Sequence, residues 1–118
     1  MNSIIFTPSF ERDLKRIVKK YPAFRKDIAE LVASLKENAL QGSEPFENVR
    51  KIRLSITGKN KGKSGGARVI IYIRISNEQI YCLYVYDKAE IADIPDHEIK
   101  AFVKELVLEL EENEDEKE

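Results

Sequence analysis

Hydrophobic residues recur at helical spacing in the first third of the chain. Thr7-Pro8 is typical of a helix start, because threonine caps a helix and proline is tolerated in its first turn. The apolar positions that follow share one face before Pro22 and one face after it: Phe10, Leu14, Ile17, Val18 and Tyr21, then Phe24, Ile28, Leu31, Val32 and Leu35. A short apolar run over residues 3–6 precedes them. The pattern therefore predicts a brief strand followed by an antiparallel hairpin of two helices.

After residue 50 the apolar period shortens to that of a strand. Three runs follow this period and predict strands: residues 51–56, 67–75 and 79–86. The second run places a set of β-branched side chains on one face: Val69, Ile71, Ile73 and Ile75. The segments around these runs carry turn-forming residues and are predicted as loops: 41–45, 58–66 and Asn77-Glu78. The three strands are expected to form an antiparallel meander.

A last amphipathic helix is predicted after Asp93-Ile94-Pro95. Its apolar positions recur at helical spacing: Ile99, Phe102, Val103, Leu106, Val107 and Leu110. The final residues, 111–118, are strongly acidic, and they form either a frayed, solvated end or a tail that contacts a basic surface. With no repeat or linker, we expect one α+β domain over residues 1–118. Its twisted sheet of about four strands, antiparallel except for the N-terminal strand, would pack against the helical hairpin.

Composition narrows the class of protein. The chain has 118 residues, of which 42% are hydrophobic, and a formal net charge of −1. No apolar run approaches the length of a membrane span, so no membrane association is expected. One cysteine and one histidine make a metal site of the usual ligand types unexpected, and the single Cys82 fits a reducing cytoplasm. We expect a cytoplasmic protein without a metal or another cofactor.

Positive charge is concentrated in the middle of this near-neutral chain. No acidic residue lies between Asn48 and Asn77, whereas eight basic residues do: Arg50, Lys51, Arg53, Lys59, Lys61, Lys63, Arg68 and Arg74. So dense a cationic strip favours an anionic partner, and a polyphosphate chain is the obvious candidate. The alternative is a solvated outer face of a sheet.

The period-2 rule collects part of this charge on one face of the sheet. Lys51 and Arg53 are expected beside Arg68 and Arg74, and the third strand adds its own members: Tyr84, Tyr86 and Lys88. Cations that meet phosphates and tyrosines that stack on bases suit an RNA strand. Three further lysines in the glycine-rich loop would follow a phosphate backbone without reading its sequence: Lys59, Lys61 and Lys63.

Three motifs in this order resemble the RelE/ParE toxin superfamily, and within it the RelE and HigB-like toxins. They are RKIRL at residues 50–54, GGARVI at residues 65–70 and YDKAE at residues 86–90. The resemblance implies a RelE-like fold and cleavage of messenger RNA in the ribosomal A site. The implied chemistry is a metal-independent attack of a ribose 2′-hydroxyl on the adjacent phosphate. The implied partners are a cognate antitoxin, the ribosome with its 16S rRNA, and the messenger RNA.

The resemblance also implies roles for individual residues. Arg68 and Lys88 fall at positions that stabilise charge and the leaving 5′-oxygen, and Lys51 or Arg53 at positions that orient or deprotonate the 2′-hydroxyl. A catalytic tyrosine of some relatives has no counterpart here, because the matching position is Ile94. Tyr86 or His97 could replace it, so the general base and acid stay open at this point.

Two other functions are compatible with the same sequence. ParE-type relatives share the fold, lack the cationic set and act on DNA gyrase, so the chain could be a non-catalytic module that binds gyrase, ribosomal RNA or DNA. It could also be an inactive scaffold that only binds an antitoxin. The presence of the cationic set favours the nuclease.

Overall fold

The computed structural model describes residues 1–59, 62 and 65–116. Its helices and strands follow in this order: β1 (Ser3–Phe6), α1 (Pro8–Lys20), α2 (Phe24–Glu37), β2 (Ser43–Phe46), β3 (Val49–Leu54), β4 (Ala67–Arg74), β5 (Gln79–Asp87) and α3 (Asp96–Glu116). The strands form one sheet in the order β1-β5-β4-β3-β2. β1 runs parallel to β5 and all other pairs are antiparallel. The predicted α+β class, helical hairpin, meander and C-terminal helix are confirmed.

The helical hairpin is fixed to the sheet at its first residue. The Thr7 side chain accepts a hydrogen bond from the Phe10 backbone N–H at 3.3 Å, which caps α1. The same hydroxyl donates to the Cys82 carbonyl of β5 at 3.0 Å. The apolar faces predicted for α1 and α2 pack on the sheet and form the first core together with Val69, Ile71 and other strand residues.

The sheet contains one strand that the sequence did not predict. Residues 43–45, expected as loop, form the edge strand β2 together with Phe46. Pro45 is tolerated there because an edge strand needs hydrogen bonds on one side only. Arg50 stabilises the approach to this strand by donating to the carbonyls of Gln41 and Gly42, both at 2.9 Å.

α3 covers the second face of the sheet, where the sequence predicted an open surface. Ile99 is fully buried in a second core that includes Ile70 of β4, and the Phe102 ring meets the Tyr84 ring edge-on with 5.3 Å between centroids. β4 carries apolar side chains on both of its faces, so both faces need a covering layer. Without α3, Ile70 would be exposed to solvent on the same face as Arg68 and Arg74. Among the described residues of this face, the end of the sheet beyond α3 stays open for a site.

A β-bulge interrupts β5. Ile70 is paired with Tyr84 and Ile71 with Cys82, so Leu83 is left without a partner on β4. The alternation of side chains shifts at this point: Cys82 faces the helical hairpin, whereas Leu83 and Tyr84 both face α3. The bulge therefore decides which side chains β5 presents beyond it.

The second predicted strand begins at Ala67 as expected but ends one residue early, at Arg74. Ile75, predicted on its buried face, lies in a short 3₁₀ turn over Ile75–Asn77 and is 70% exposed. Arg74, the last residue of β4, is ion-paired with Glu114 of α3. Residues 111–116 of the acidic segment are helical, and Glu114 within them contacts this basic residue.

No helix in the described ranges has both the length and the apolar character needed to cross a bilayer.

Candidate active site

A pocket of about 200 Å³ opens where β3, β4 and β5 meet the loop that precedes α3. Its described lining consists of Ser43, Lys51, Arg53, Arg68, Tyr86, Lys88, Ala92 and Asp93. All five residues predicted as catalytic are among them: Lys51, Arg53, Arg68, Tyr86 and Lys88. Within this lining four side chains are cationic and one is a carboxylate. Such a pocket suits a polyanion.

Strand pairing sets the geometry of the pocket. Arg68 lies directly opposite Arg53 on one side and opposite Tyr86 on the other. The three side chains thus form one row across three strands, about 4.8 Å apart from strand to strand. Lys51 lies two residues before Arg53 on β3, and Lys88 lies two residues after Tyr86, just past the end of β5. A step of two residues returns both lysine side chains to the face of this row.

Arg68 lies at the centre of this row and is only 5% exposed. Its Nη1 donates to the Ala67 carbonyl at 3.1 Å. Because a guanidinium stays charged at any physiological pH, this position keeps a positive charge in a poorly solvated site. There it interacts more strongly with an anion than a cation in open water would.

Asp93 connects two of the predicted catalytic residues. Its Oδ1 accepts hydrogen bonds from Lys51 Nζ at 2.7 Å and from the Tyr86 hydroxyl at 3.0 Å. The hydrogen bond from Lys51 is the main cause that lowers the pKa of Asp93, so this carboxylate is ionised at neutral pH. In the sequence Asp93 only precedes the last predicted helix, because its contact with Lys51 spans 42 residues and no local pattern signals it.

Tyr86 keeps its proton in this environment. Burial raises the pKa of the Tyr86 hydroxyl, and the hydrogen bond to Asp93 and the charge of that carboxylate raise it further, against a smaller opposite effect of Arg68. Tyr86 is therefore a hydrogen-bond donor at neutral pH and not a base. Nearby Cys82 is buried, which raises the pKa of its thiol to about 12 and leaves it unreactive.

Three other candidate residues, Lys59, Arg74 and His97, are not among the described residues that line the pocket. The Lys59 side chain is 9% exposed and ion-paired with Asp87 at the end of β5. Arg74 lies six residues from Arg68 at the opposite end of β4. His97 is exposed in the first turn of α3. Lys61 and Lys63 lie outside the described residues.

Metal ligands are not grouped in the part of the chain that the structure describes: no three of its histidine, cysteine, aspartate and glutamate side chains could hold a metal ion together.

Comparison with known proteins gives the family. A profile described as the RelE toxin of the RelE / RelB toxin-antitoxin system matches residues 10–117. The chain belongs to the RelE toxin family. As a RelE-family toxin, it is part of a toxin-antitoxin system, which implies an antitoxin partner.

Solved structures agree with the RelE fold. The isolated RelE toxin of E. coli superimposes with a TM-score of 0.54 at 16% identity, covering 88% of this chain and 98% of its own. A mutant of E. coli RelE in the free state gives a TM-score of 0.54 at 15% identity, covering 77% of this chain and 87% of its own. At these identities the likeness establishes the fold of this RelE-family toxin.

Proposed function

We propose that this RelE-family toxin is an endoribonuclease that cleaves translated messenger RNA in the ribosomal A site. The observation that carries the proposal is the pocket in which three further cationic side chains surround the buried Arg68. RelE-family toxins are generally ribonucleases. The dependence on the ribosome, with contacts to 16S rRNA, is taken from the resemblance to RelE.

The proposed reaction is attack of a ribose 2′-hydroxyl on the adjacent phosphate. The pentacovalent phosphorane carries more negative charge than the phosphodiester, and cations held on strands stabilise it without reorganising. Arg68 is suited to this role because its position is fixed by burial and by the Ala67 carbonyl. Lys88 is exposed at the rim, where it can reach the leaving 5′-oxygen.

The opposite side of the pocket would orient the nucleophile. Arg53 is exposed and can contact the phosphate that enters, whereas Lys51 is held by Asp93. Tyr86 would hold Asp93 in place through its hydroxyl, because its ring is buried in the second core and is not accessible for stacking on a base. The reaction as proposed uses no metal and no other cofactor. The negative charge that develops on the phosphorane oxygens is stabilised by side chains that are already cationic.

Binding of RNA outside the pocket is a separate part of the proposal. Lys61, Lys63 and Arg74 stay predictions for contacts with the phosphate backbone. Lys59 contributes to such binding only if its ammonium leaves Asp87, since the pair is buried. We therefore expect Lys59 to be the weakest of the four predicted RNA contacts.

The substitution Arg68→Ala tests the nuclease. Loss of one preorganised cation is expected to lower the cleavage rate about 10²–10³-fold. The measurement is induced expression in bacteria, followed within minutes by mapping the 5′ ends of cellular transcripts. New ends inside translated reading frames are expected with the wild type and not with Arg68→Ala.

The matched control is Arg25→Ala, because Arg25 is an exposed arginine of α2 on the far side of the sheet. It should cleave like the wild type, and thermal melts should show that Arg68→Ala is folded. Growth arrest with intact transcripts would refute the nuclease and favour a module that binds gyrase, ribosomal RNA or DNA. No arrest at all would leave a scaffold for the antitoxin.

A further inference from the structure

The two oxygens of the Asp93 carboxylate have different surroundings. Oδ1 accepts three hydrogen bonds, from Lys51 Nζ at 2.7 Å, from the Tyr86 hydroxyl at 3.0 Å and from the Ile94 backbone N–H at 3.0 Å. Oδ2 accepts none of them. The Asp93 side chain is 62% exposed, so the substrate can approach it from the pocket. The carboxylate is thus oriented through one oxygen and open at the other.

Few groups in the pocket can accept a proton at neutral pH. Lysine ammonium and arginine guanidinium groups are hydrogen-bond donors without an acceptor atom. Lys51 Nζ is already engaged as a donor to Asp93. Tyr86 holds its proton because burial raises its pKa. Among the described lining residues this leaves the Asp93 carboxylate, which is ionised at neutral pH and whose pKa the hydrogen bond from Lys51 lowers below its ordinary value.

We propose that Asp93 is the general base of the cleavage reaction. This inference rests on the nuclease function proposed above and assigns a role that the family motifs do not. Oδ2 takes the proton of the ribose 2′-hydroxyl as the bond from the 2′-oxygen to phosphorus forms. The bond from phosphorus to the 5′-oxygen breaks, and Lys88 protonates the departing oxygen. The products are a 2′,3′-cyclic phosphate and a 5′-hydroxyl end.

This assignment divides the work between neighbouring residues. Lys51 and Tyr86 act as positioning residues that hold Oδ1, while Oδ2 reacts. Lys51 then has no part in deprotonating the nucleophile, which was one of the roles open for it. A positioned general base contributes typically about 10²–10⁴-fold to the rate.

The first test uses the purified full-length toxin on ribosomes that carry a messenger RNA. Asp93→Asn keeps the size of the side chain and removes the proton acceptor, so the single-turnover rate should fall about 10²–10⁴-fold. The matched control is Asp96→Asn, which removes one carboxylate at the exposed start of α3, outside the pocket. Its rate should stay within about twofold of the wild type.

The second test separates a base from a structural carboxylate. Asp93→Gly leaves room for a small anion in solution, and acetate should restore part of the rate in a concentration-dependent way. Fluoroacetate has nearly the same size and is a weaker base, so it should restore less if the anion takes a proton. An anion that only orients Lys51 and Tyr86 would restore the rate equally in both cases.

The outcomes distinguish the two proposals. Wild-type protein that leaves ribosome-bound messenger RNA intact would overturn both. Suppose that the wild type cleaves and the rate of Asp93→Asn is within about threefold of the wild-type rate. This result would overturn the role of Asp93 as base and leave the nuclease standing, because loss of a general base lowers the rate far more. Equal rescue by the two anions, or none, would likewise overturn the base and leave the nuclease standing.

Discussion

Tyr86 shows at the residue scale how the pocket sets a protonation state. Its ring belongs to the second core, while its hydroxyl reaches Asp93 at the surface. Three causes act in the same direction on its pKa: burial, the hydrogen bond to Asp93 and the charge of that carboxylate. Where β5 ends therefore raises the pKa of this hydroxyl further above neutrality than tyrosine chemistry alone would place it.

Asp93→Asn should lower the pKa of Tyr86, because the substitution removes a negative charge that disfavours the phenolate. Burial persists in the variant, so the pKa should stay above the ordinary tyrosine value. The measurement is a titration followed by the ultraviolet absorbance of tyrosinate, with Tyr86→Phe subtracted to isolate this residue. A midpoint for Tyr86 that does not move would contradict the contact with Asp93.

At the scale of elements, a buried ion pair joins the loop after β3 to the end of β5. Lys59 and Asp87 are 9% and 4% exposed, and Asp87 Oδ1 also accepts from the Ala89 backbone N–H at 3.0 Å. Asp87 lies between Tyr86 and Lys88. The pair therefore fixes the strand end that presents both of these residues to the pocket.

Asp87→Asn should lower the free energy of unfolding by about 3–5 kcal/mol, because it leaves the buried Lys59 ammonium without its counter-charge. Lys59→Met/Asp87→Leu should cost less than the sum of the single changes. Denaturant unfolding of the four proteins gives the coupling energy.

As a control, Glu90→Gln removes the exposed pair with Lys20, whose N–O distance is 4.0 Å, and should change the free energy of unfolding by less than about 1 kcal/mol. Additive single changes would rule out the coupling.

The helices and the meander could be predicted because their side chains alternate or recur with a clear period. β2 could not, since its glycine, serine and proline neighbours are turn formers and its strand character comes from pairing with β3. Five of the residues that line the pocket could be predicted, because each belongs to a motif or to one strand face and the spacing along the chain identifies it. The place of Asp93 in the pocket and the ion pair of Lys59 depend on contacts between distant segments. The periodicity of the sequence carries no information about such contacts.

At the scale of the whole molecule, one sheet separates two cores. The helical hairpin closes the first and α3 the second, and β4 and β5 contribute to both. Loss of either core would expose a face of the same two strands. We therefore expect residues 1–118 to unfold as one cooperative unit, and the single domain stays a prediction.

Matched substitutions in the two cores test this cooperativity. Ile28→Ala in the hairpin core and Ile99→Ala in the α3 core each remove a buried isoleucine, at a cost of about 2–5 kcal/mol. Both should shift one common unfolding transition, followed by far-ultraviolet circular dichroism and by tyrosine fluorescence. Two separate phases, of which Ile99→Ala moves only one, would show that α3 unfolds independently.

The bulge at Leu83 has a consequence for aligning this chain with its relatives. Continued alternation from Cys82, which faces the hairpin, would place residues 84 and 86 in the first core. The extra residue instead turns Tyr86 toward the pocket. For a relative without the bulge, an ungapped alignment would match Tyr86 to a residue of the opposite face. Comparisons of the site across the family therefore need a one-residue gap at this position before any residue beyond it is equated.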